Sequence, residues 1–175
     1  MTSLAPCIFV FGSSFAGKTC LISHLVLDFP QVKTVNYELY YHPQRETRES
    51  MTGFYGHIFR LLKEGTPVIA ETINDYQYNA VNYRQNLTEL TPLNIRVMPE
   101  YQLHQRNMET FREAFGSRLT NIRSLGRNAV QLQNAQKARL RITDYITYDS
   151  TNYNVIRDRV AQLLGASPEV HHGGI

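Results

Sequence analysis

Leu4-Ala5-Pro6-Cys7-Ile8-Phe9-Val10-Phe11-Gly12-Ser13-Ser14-Phe15-Ala16-Gly17-Lys18-Thr19 is the stretch that decides the architecture. Its first half is a continuous apolar run, the pattern of a strand buried on both faces of a parallel sheet. Its second half, from Gly12 to Thr19, reads G-x-x-x-x-G-K-[ST] without departure. Glycines let such a loop curl until successive backbone N–H groups converge on one anion. Residues 18–29 (KTCLISHLVLDF) then carry a helical pattern closed by Pro30, so the positive end of that helix points at the same anion. In this order the three pieces make a phosphate cradle, with Lys18 placed to reach β- and γ-phosphates and Thr19 to ligate Mg²⁺. Ser13, Ser14, Phe15 and Ala16 in the loop, and Cys20 just after it, complete the candidate nucleotide-binding set.

Outward from this motif the chain alternates short apolar runs with amphipathic stretches. Strands are predicted at residues 4–11, 32–40 (VKTVNYELY), 66–70 (TPVIA), 93–98 (LNIRVM) and 145–148 (YITY). Helices are predicted at 18–29, 49–64, 76–90, 100–114, 130–140 and 152–164. Within residues 49–64, Met51, Phe54, Tyr55, Ile58, Leu61 and Leu62 share one face, and Gly65 supplies the stop. Strands alternating with helices in this way predict an α/β fold, a three-layer α/β/α arrangement around a five-stranded parallel sheet. Gly116 and Gly126 bracket a polar stretch that reads as a loop or lid. The expected organisation is one domain over residues 1–165, with the lid around 114–130 and a flexible tail at 166–175.

Composition agrees with a globular domain: 175 residues, 42% hydrophobic and 19% charged. No apolar run approaches the ~20 residues that a membrane-crossing helix needs, and no signal-peptide pattern is expected at the start. Two cysteines, Cys7 and Cys20, cannot build a disulfide framework. They read as small core residues of a cytoplasmic protein in a reducing compartment. Ligand spacing for zinc is missing. The net charge of +3 is uneven: residues 1–95 carry 7 basic and 8 acidic groups, whereas residues 96–141 carry 9 and 3. A single basic segment points to a local anionic partner. Residues 116–141 contain no aromatic side chain, so the stacking platforms of single-stranded nucleic-acid binders are missing there.

Asn-Lys-x-Asp and Asp-x-x-Gly do not occur, which disfavours a guanine-specific switch GTPase. The order strand, loop, helix, strand, helix, strand, helix, strand, Arg-rich lid, strand resembles the small P-loop kinases. These comprise the nucleoside monophosphate kinase fold and the shikimate kinase-like and chloramphenicol phosphotransferase-like enzymes. The resemblance covers nearly the whole chain in element order and is carried at residue level by Gly12 to Thr19. It implies a P-loop NTPase fold of the nucleoside monophosphate kinase type, with ATP as phosphoryl donor, Mg²⁺ as cofactor and a small-molecule hydroxyl as acceptor. It also implies an acidic residue at the end of the second strand that orients the acceptor or serves as its base. Glu38, in Val35-Asn36-Tyr37-Glu38, takes that place, where many relatives carry Asp. Glu71, in Val68-Ile69-Ala70-Glu71, matches an acid at the end of the third strand near magnesium or the acceptor. Lid arginines surround the phosphoryl group in such kinases. Arg106, Arg112, Arg118, Arg123 and Arg127 are the candidates here, and Arg112, Arg118 and Arg123 are the choices. The loop 149–152 matches the one that holds adenine in relatives, and Ser150 and Thr151 read equally as the N-cap of the last helix.

Seven of the 11 tyrosines fall between Tyr37 and Tyr83, the acceptor side in such kinases. They read either as packing or as the wall of a pocket for a ring-bearing or sugar-like acceptor. His42, His57 and His104 read as surface or satisfied core residues. The functional expectation is therefore an ATP- and Mg²⁺-dependent phosphotransferase acting on a small molecule, as a monomer or homodimer. A nucleoside or nucleotide kinase and a non-catalytic nucleotide-binding regulator are the competing readings.

Overall fold

The computed structural model describes residues 3–41, 44, 47–72, 90–116, 126–140 and 142–170, with the side chains of residues 47 and 48 excepted. Among these lie strands β1 (Cys7–Phe11), β2 (Lys33–Asn36), β3 (Val68–Thr72), β4 (Leu93–Val97) and β5 (Ile146–Tyr148). Helices α1 (Lys18–Asp28), α2 (Thr47–Lys63), α3 (Tyr101–Phe115), α4 (Ala129–Arg139) and α5 (Tyr153–Leu164) accompany them. All strand pairs are parallel, and the sheet order is β2-β3-β1-β4-β5. The expected five-stranded parallel sheet, with helices on both faces, is present. Residues 76–89 of the expected helix at 76–90 lie outside the described residues.

Every residue of β1 is buried, and its alternation sorts the two layers. Cys7 and Phe9 pack with Phe54, Tyr55, Ile58 and Leu62 of α2, while Ile8 and Val10 pack with Leu21 and Leu25 of α1 and Ile156 and Val160 of α5. β1 also lies between β3 and β4, where the strand order reverses. In an open α/β sheet the crevice beyond the carboxyl ends of the strands at such a point is the ligand-binding position.

Three strands differ from expectation by two residues or more at an end. β1 starts at Cys7 rather than Leu4: Pro6 has no N–H to give, and its carbonyl accepts from Val68 while Ala5 bonds across to Leu62. β2 ends at Asn36 rather than running to Tyr40. The Asn36 side chain accepts the Glu38 N–H at 2.9 Å and turns the chain into a 3₁₀ turn, Tyr37–Leu39. β3 starts at Val68 rather than Thr66 and runs to Thr72, so Glu71 is its penultimate residue. Cys20 also departs from expectation: it is exposed in the first turn of α1, not buried like Cys7. No helix among the described residues is long and apolar enough to cross a membrane.

The two layers make a direct stability prediction. Ile58 is fully buried under β1, whereas Leu39 is 83% exposed on the turn after β2. Ile58→Ala should lower the unfolding free energy by about 2–5 kcal/mol, and Leu39→Ala should change it by no more than about 0.5 kcal/mol. Urea denaturation of both variants checks this.

Candidate functional site

The loop from Gly12 to Gly17 joins β1 to α1 at the carboxyl edge of the sheet. Gly12 is required by crowding: a Cβ there would sit 2.7 Å from the Val97 carbonyl of β4. Gly17 is required by conformation, since it caps α1 with φ 105°, a left-handed value that other residues avoid. No side chain caps that helix start and no acid lies in its first turn. Among the described residues, its first N–H groups therefore have no side-chain cap. Ser13 Oγ, buried in the same loop, has no hydrogen-bond partner among the described residues. Together these features have the form that an anion cradle requires.

Lys18 is buried, and its Nζ donates to the carbonyls of Gly12 (2.9 Å) and Ser13 (3.0 Å). Burial lowers its pKa from 10.5 to about 8, partly opposed by the charges of Glu71 and Glu38. Two strands bring those acids near. Glu71 of β3 is in register with both Val10 of β1 and Asn36 of β2. Its carboxylate accepts from Thr19 Oγ1 at 3.4 Å on one oxygen and from Asn36 Nδ2 at 3.1 Å on the other. Burial pushes the Glu71 carboxyl up, the Lys18 charge pulls it down, Glu38 pushes it up again, and the Thr19 hydrogen bond lowers it. Glu38 is exposed on the 3₁₀ turn and acts on this pair through its charge. Thr19 and Glu71 therefore do meet beside Lys18, with Glu38 near enough for its charge to act on both Lys18 and Glu71, and an oxygen-only donor set of Thr19 and Glu71 suits a hard cation such as Mg²⁺.

Other expectations fare differently. Arg112 lies in the exposed last turn of α3, Arg106 is exposed on the same helix, and Arg127 is exposed just before α4. Arg118 and Arg123 lie outside the described residues. The N-cap of α5 is Asn152, not Ser150 or Thr151. The loop is tied instead by Asp149, which accepts from the Thr151 N–H (2.9 Å) and hydroxyl (2.7 Å) and donates its own N–H to Asn152 Oδ1. Ser150 has φ 79° between them. Beside this loop a cavity of about 470 Å³ opens between Met98, Pro99, Tyr101, Gln102, Gln133 and Asp149. Another, of about 390 Å³, lies at the far ends of β4 and β5 among Leu93, Asn94, Asp144 and Arg159, away from the loop motif.

Asn36, Arg96 and Asn107 were not singled out as site residues from the sequence, and His104 was given no role there. Asn36 holds Glu71. Arg96 of β4 is buried in register with Phe11, the residue before the loop. Its Nε donates to Gln136 Oε1 at 3.3 Å, its Nη1 donates to the Tyr145 hydroxyl at 3.4 Å, and its guanidinium lies 5.7 Å from the Tyr145 ring centre. A cation inside the apolar run LNIRV is the signal that could have found it. His104, read as surface or satisfied core, is fully buried and bonded to the Ser14 carbonyl, and Asn107 is bonded to that of Phe15. No sequence signal marks these two, since their partners lie about 90 residues away.

No protein-family model matches the chain, and no curated protein does at a significant level. Solved structures do. A provisionally assigned kinase from Chloroflexus aurantiacus J-10-fl shares 18% identity at a TM-score of 0.65, over 92% of this chain and 99% of that one. The tunicamycin resistance protein of Deinococcus radiodurans shares 11% identity at a TM-score of 0.64, over 95% and 99%. Shikimate kinase from Acinetobacter baumannii shares 13% at a TM-score of 0.58, over 93% and 94%. At these identities the likeness is one of fold, and it agrees with the sheet order and the loop geometry. The chain has the fold of the small P-loop kinases.

Proposed function

We propose that the protein is an ATP-dependent phosphotransferase that moves the γ-phosphoryl group to a hydroxyl of a small-molecule acceptor. The observation that carries this reading is the convergence of an intact phosphate cradle with Lys18, Thr19 and the Asn36-held carboxylate of Glu71 at one sheet edge. The cradle N–H groups and Lys18 bind the β- and γ-phosphates. Thr19 and Glu71 would hold Mg²⁺, which when bound neutralises phosphate charge as transfer proceeds. Glu71 is engaged by Thr19 and Asn36, which leaves exposed Glu38 as the carboxylate to orient the acceptor hydroxyl and take its proton. The cavity beside the loop 149–152 suits the nucleoside. Arg112, Arg118 and Arg123 are the proposed lid arginines, whose planar guanidinium groups match charge spread over the transferring phosphoryl oxygens.

A second reading is a nucleotide-binding regulator without turnover. Asn36 favours it, because the last residue of β2 is an amide where the resembling kinases place an acid. Both readings need the cradle, and turnover separates them.

Steady-state ADP release over a panel of sugars, other alcohols, nucleosides and nucleotides should show Mg²⁺-dependent stimulation by one acceptor class. Lys18→Met should lower kcat/KM by about 10²–10³-fold, as loss of a transition-state charge contact does. Glu38→Gln should lower kcat by about 10²–10⁴-fold, the range for a general base, with ADP affinity unchanged. Tight ATP binding with no stimulation by any acceptor would instead establish the regulator.

The lowered pKa of Lys18 gives a separate check. A polyphosphate binds the ammonium form, so Mg·ADP affinity should weaken by about tenfold from pH 7 to pH 9 as Lys18 loses its proton around pH 8. Lys18→Met should flatten that profile. Stability should move the other way. A folded pKa below the unfolded one means that burying charged Lys18 opposes folding at neutral pH, and this penalty fades between pH 8 and 10.5. Calorimetric titration and melting curves across that range measure the two trends.

A further inference from the structure

His104, Asn107, Met108 and Phe111 stand at i, i+3, i+4 and i+7 on α3, so they form one stripe along the helix. That stripe is spent on the phosphate cradle. His104 Nε2 lies 2.7 Å from the Ser14 carbonyl, and Asn107 Nδ2 donates to the Phe15 carbonyl at 3.1 Å. The Phe111 ring packs at a tilt of 53° against the Phe15 ring, with centres 4.8 Å apart. Phe15 also packs against a small core of Met108, Ala129 and Leu132, which joins α3 to α4.

The hydrogen-bond partners assign the histidine tautomer. A carbonyl only accepts, so Nε2 carries the proton. On the other side Gln133 Nε2 donates to Nδ1 at 3.0 Å and to the Pro99 carbonyl at 2.9 Å. Fully buried, with a donor on one side and an acceptor on the other, His104 is a neutral Nε2–H donor fixed in direction.

The peptide plane carries this direction into the loop. No described peptide bond is cis, and in a trans peptide the C=O and the following N–H point in opposite directions. Drawing the Ser14 carbonyl towards α3 therefore turns the Phe15 N–H away from α3. Phe15 holds φ 65°, a left-handed value that costs a residue bearing a side chain. The bond from Asn107 and the ring contact with Phe111 hold it there.

We infer that His104 and Asn107 are positioning residues for polyphosphate binding: they pin two loop carbonyls to α3 so that the Phe15 N–H faces the anion. This rests on the reading of residues 12–19 as a phosphate cradle. Neither side chain touches the ligand. Each acts through the backbone, and together they anchor the α3–α4 pair to the loop.

Calorimetry with Mg·ADP and with inorganic tripolyphosphate tests this on the full chain. His104→Phe keeps a buried ring and removes the donor, and should weaken both ligands by at least about tenfold, the worth of one charge-assisted contact. His104→Gln, which keeps an N–H donor, should recover part of that loss. Asn107→Ala, at a half-buried site, should weaken binding about threefold or more. Equal affinity of wild type and His104→Phe, with only the melting temperature lowered, would overturn the inference and leave the cradle reading intact. If His104→Phe does not fold, unchanged affinity in Asn107→Ala overturns it in the same way. Wild-type protein that takes up neither ligand would overturn the cradle reading and this inference together.

Discussion

A buried ammonium needs partners, and the arrangement around Lys18 follows from that need. Isolated charge in a protein interior is costly unless it is hydrogen-bonded and paired. Two carbonyls of its own loop bond to Nζ, and two carboxylates, Glu71 on β3 and Glu38 on the turn after β2, act on it through space. Those carbonyls are available because the loop curls, and it curls because Gly12 lies against β4 and Gly17 takes a left-handed turn. The carboxylates are available because β2 and β3 end at the same level as β1. Curl, sheet register and charge thus form one connected arrangement.

The loop is supported from two directions that do different work. From the sheet side, Glu71 is held by Thr19 and Asn36, so its orientation depends on the register between β2 and β3. A one-residue slip would turn it to the opposite face of the sheet. From the helix side, α3 reaches the loop carbonyls with His104 and Asn107 and fixes α4 through Gln133 and the Gln105–Ala129 bond. Rigid support of this kind gives backbone donors their value for an anion, because little reorganisation remains when it binds.

The strand–loop–helix geometry was legible in residues 4–19 because its signals are local: an apolar strand, glycines at two fixed offsets and a Lys-Thr pair opening a helix. The sheet was legible too, since β1 and β4 are apolar runs and α2 repeats its apolar face with a helical period. Site details were less so. Glu38 was read at the end of β2, but the Asn36 side chain caps a turn two residues earlier and stands beside Glu71 itself. Cys20 was read as core because its neighbours are apolar. On a helix, however, exposure depends on rotation about the axis, and Cys20 falls on the outer side.

Taken alone, the sequence determined the α/β class, and it marked the Gly12–Thr19 loop with Lys18 and Thr19, and Glu71, as candidates for the site, because each rests on residues close together in the chain. Tertiary structure decided which polar groups meet across it: Asn36 with Glu71, Arg96 with Tyr145, His104 with the Ser14 carbonyl. Periodicity shows that a helix has an inward face but not what that face is pressed against. For α3 the answer is a loop about 90 residues earlier, and only the folded chain brings the two together.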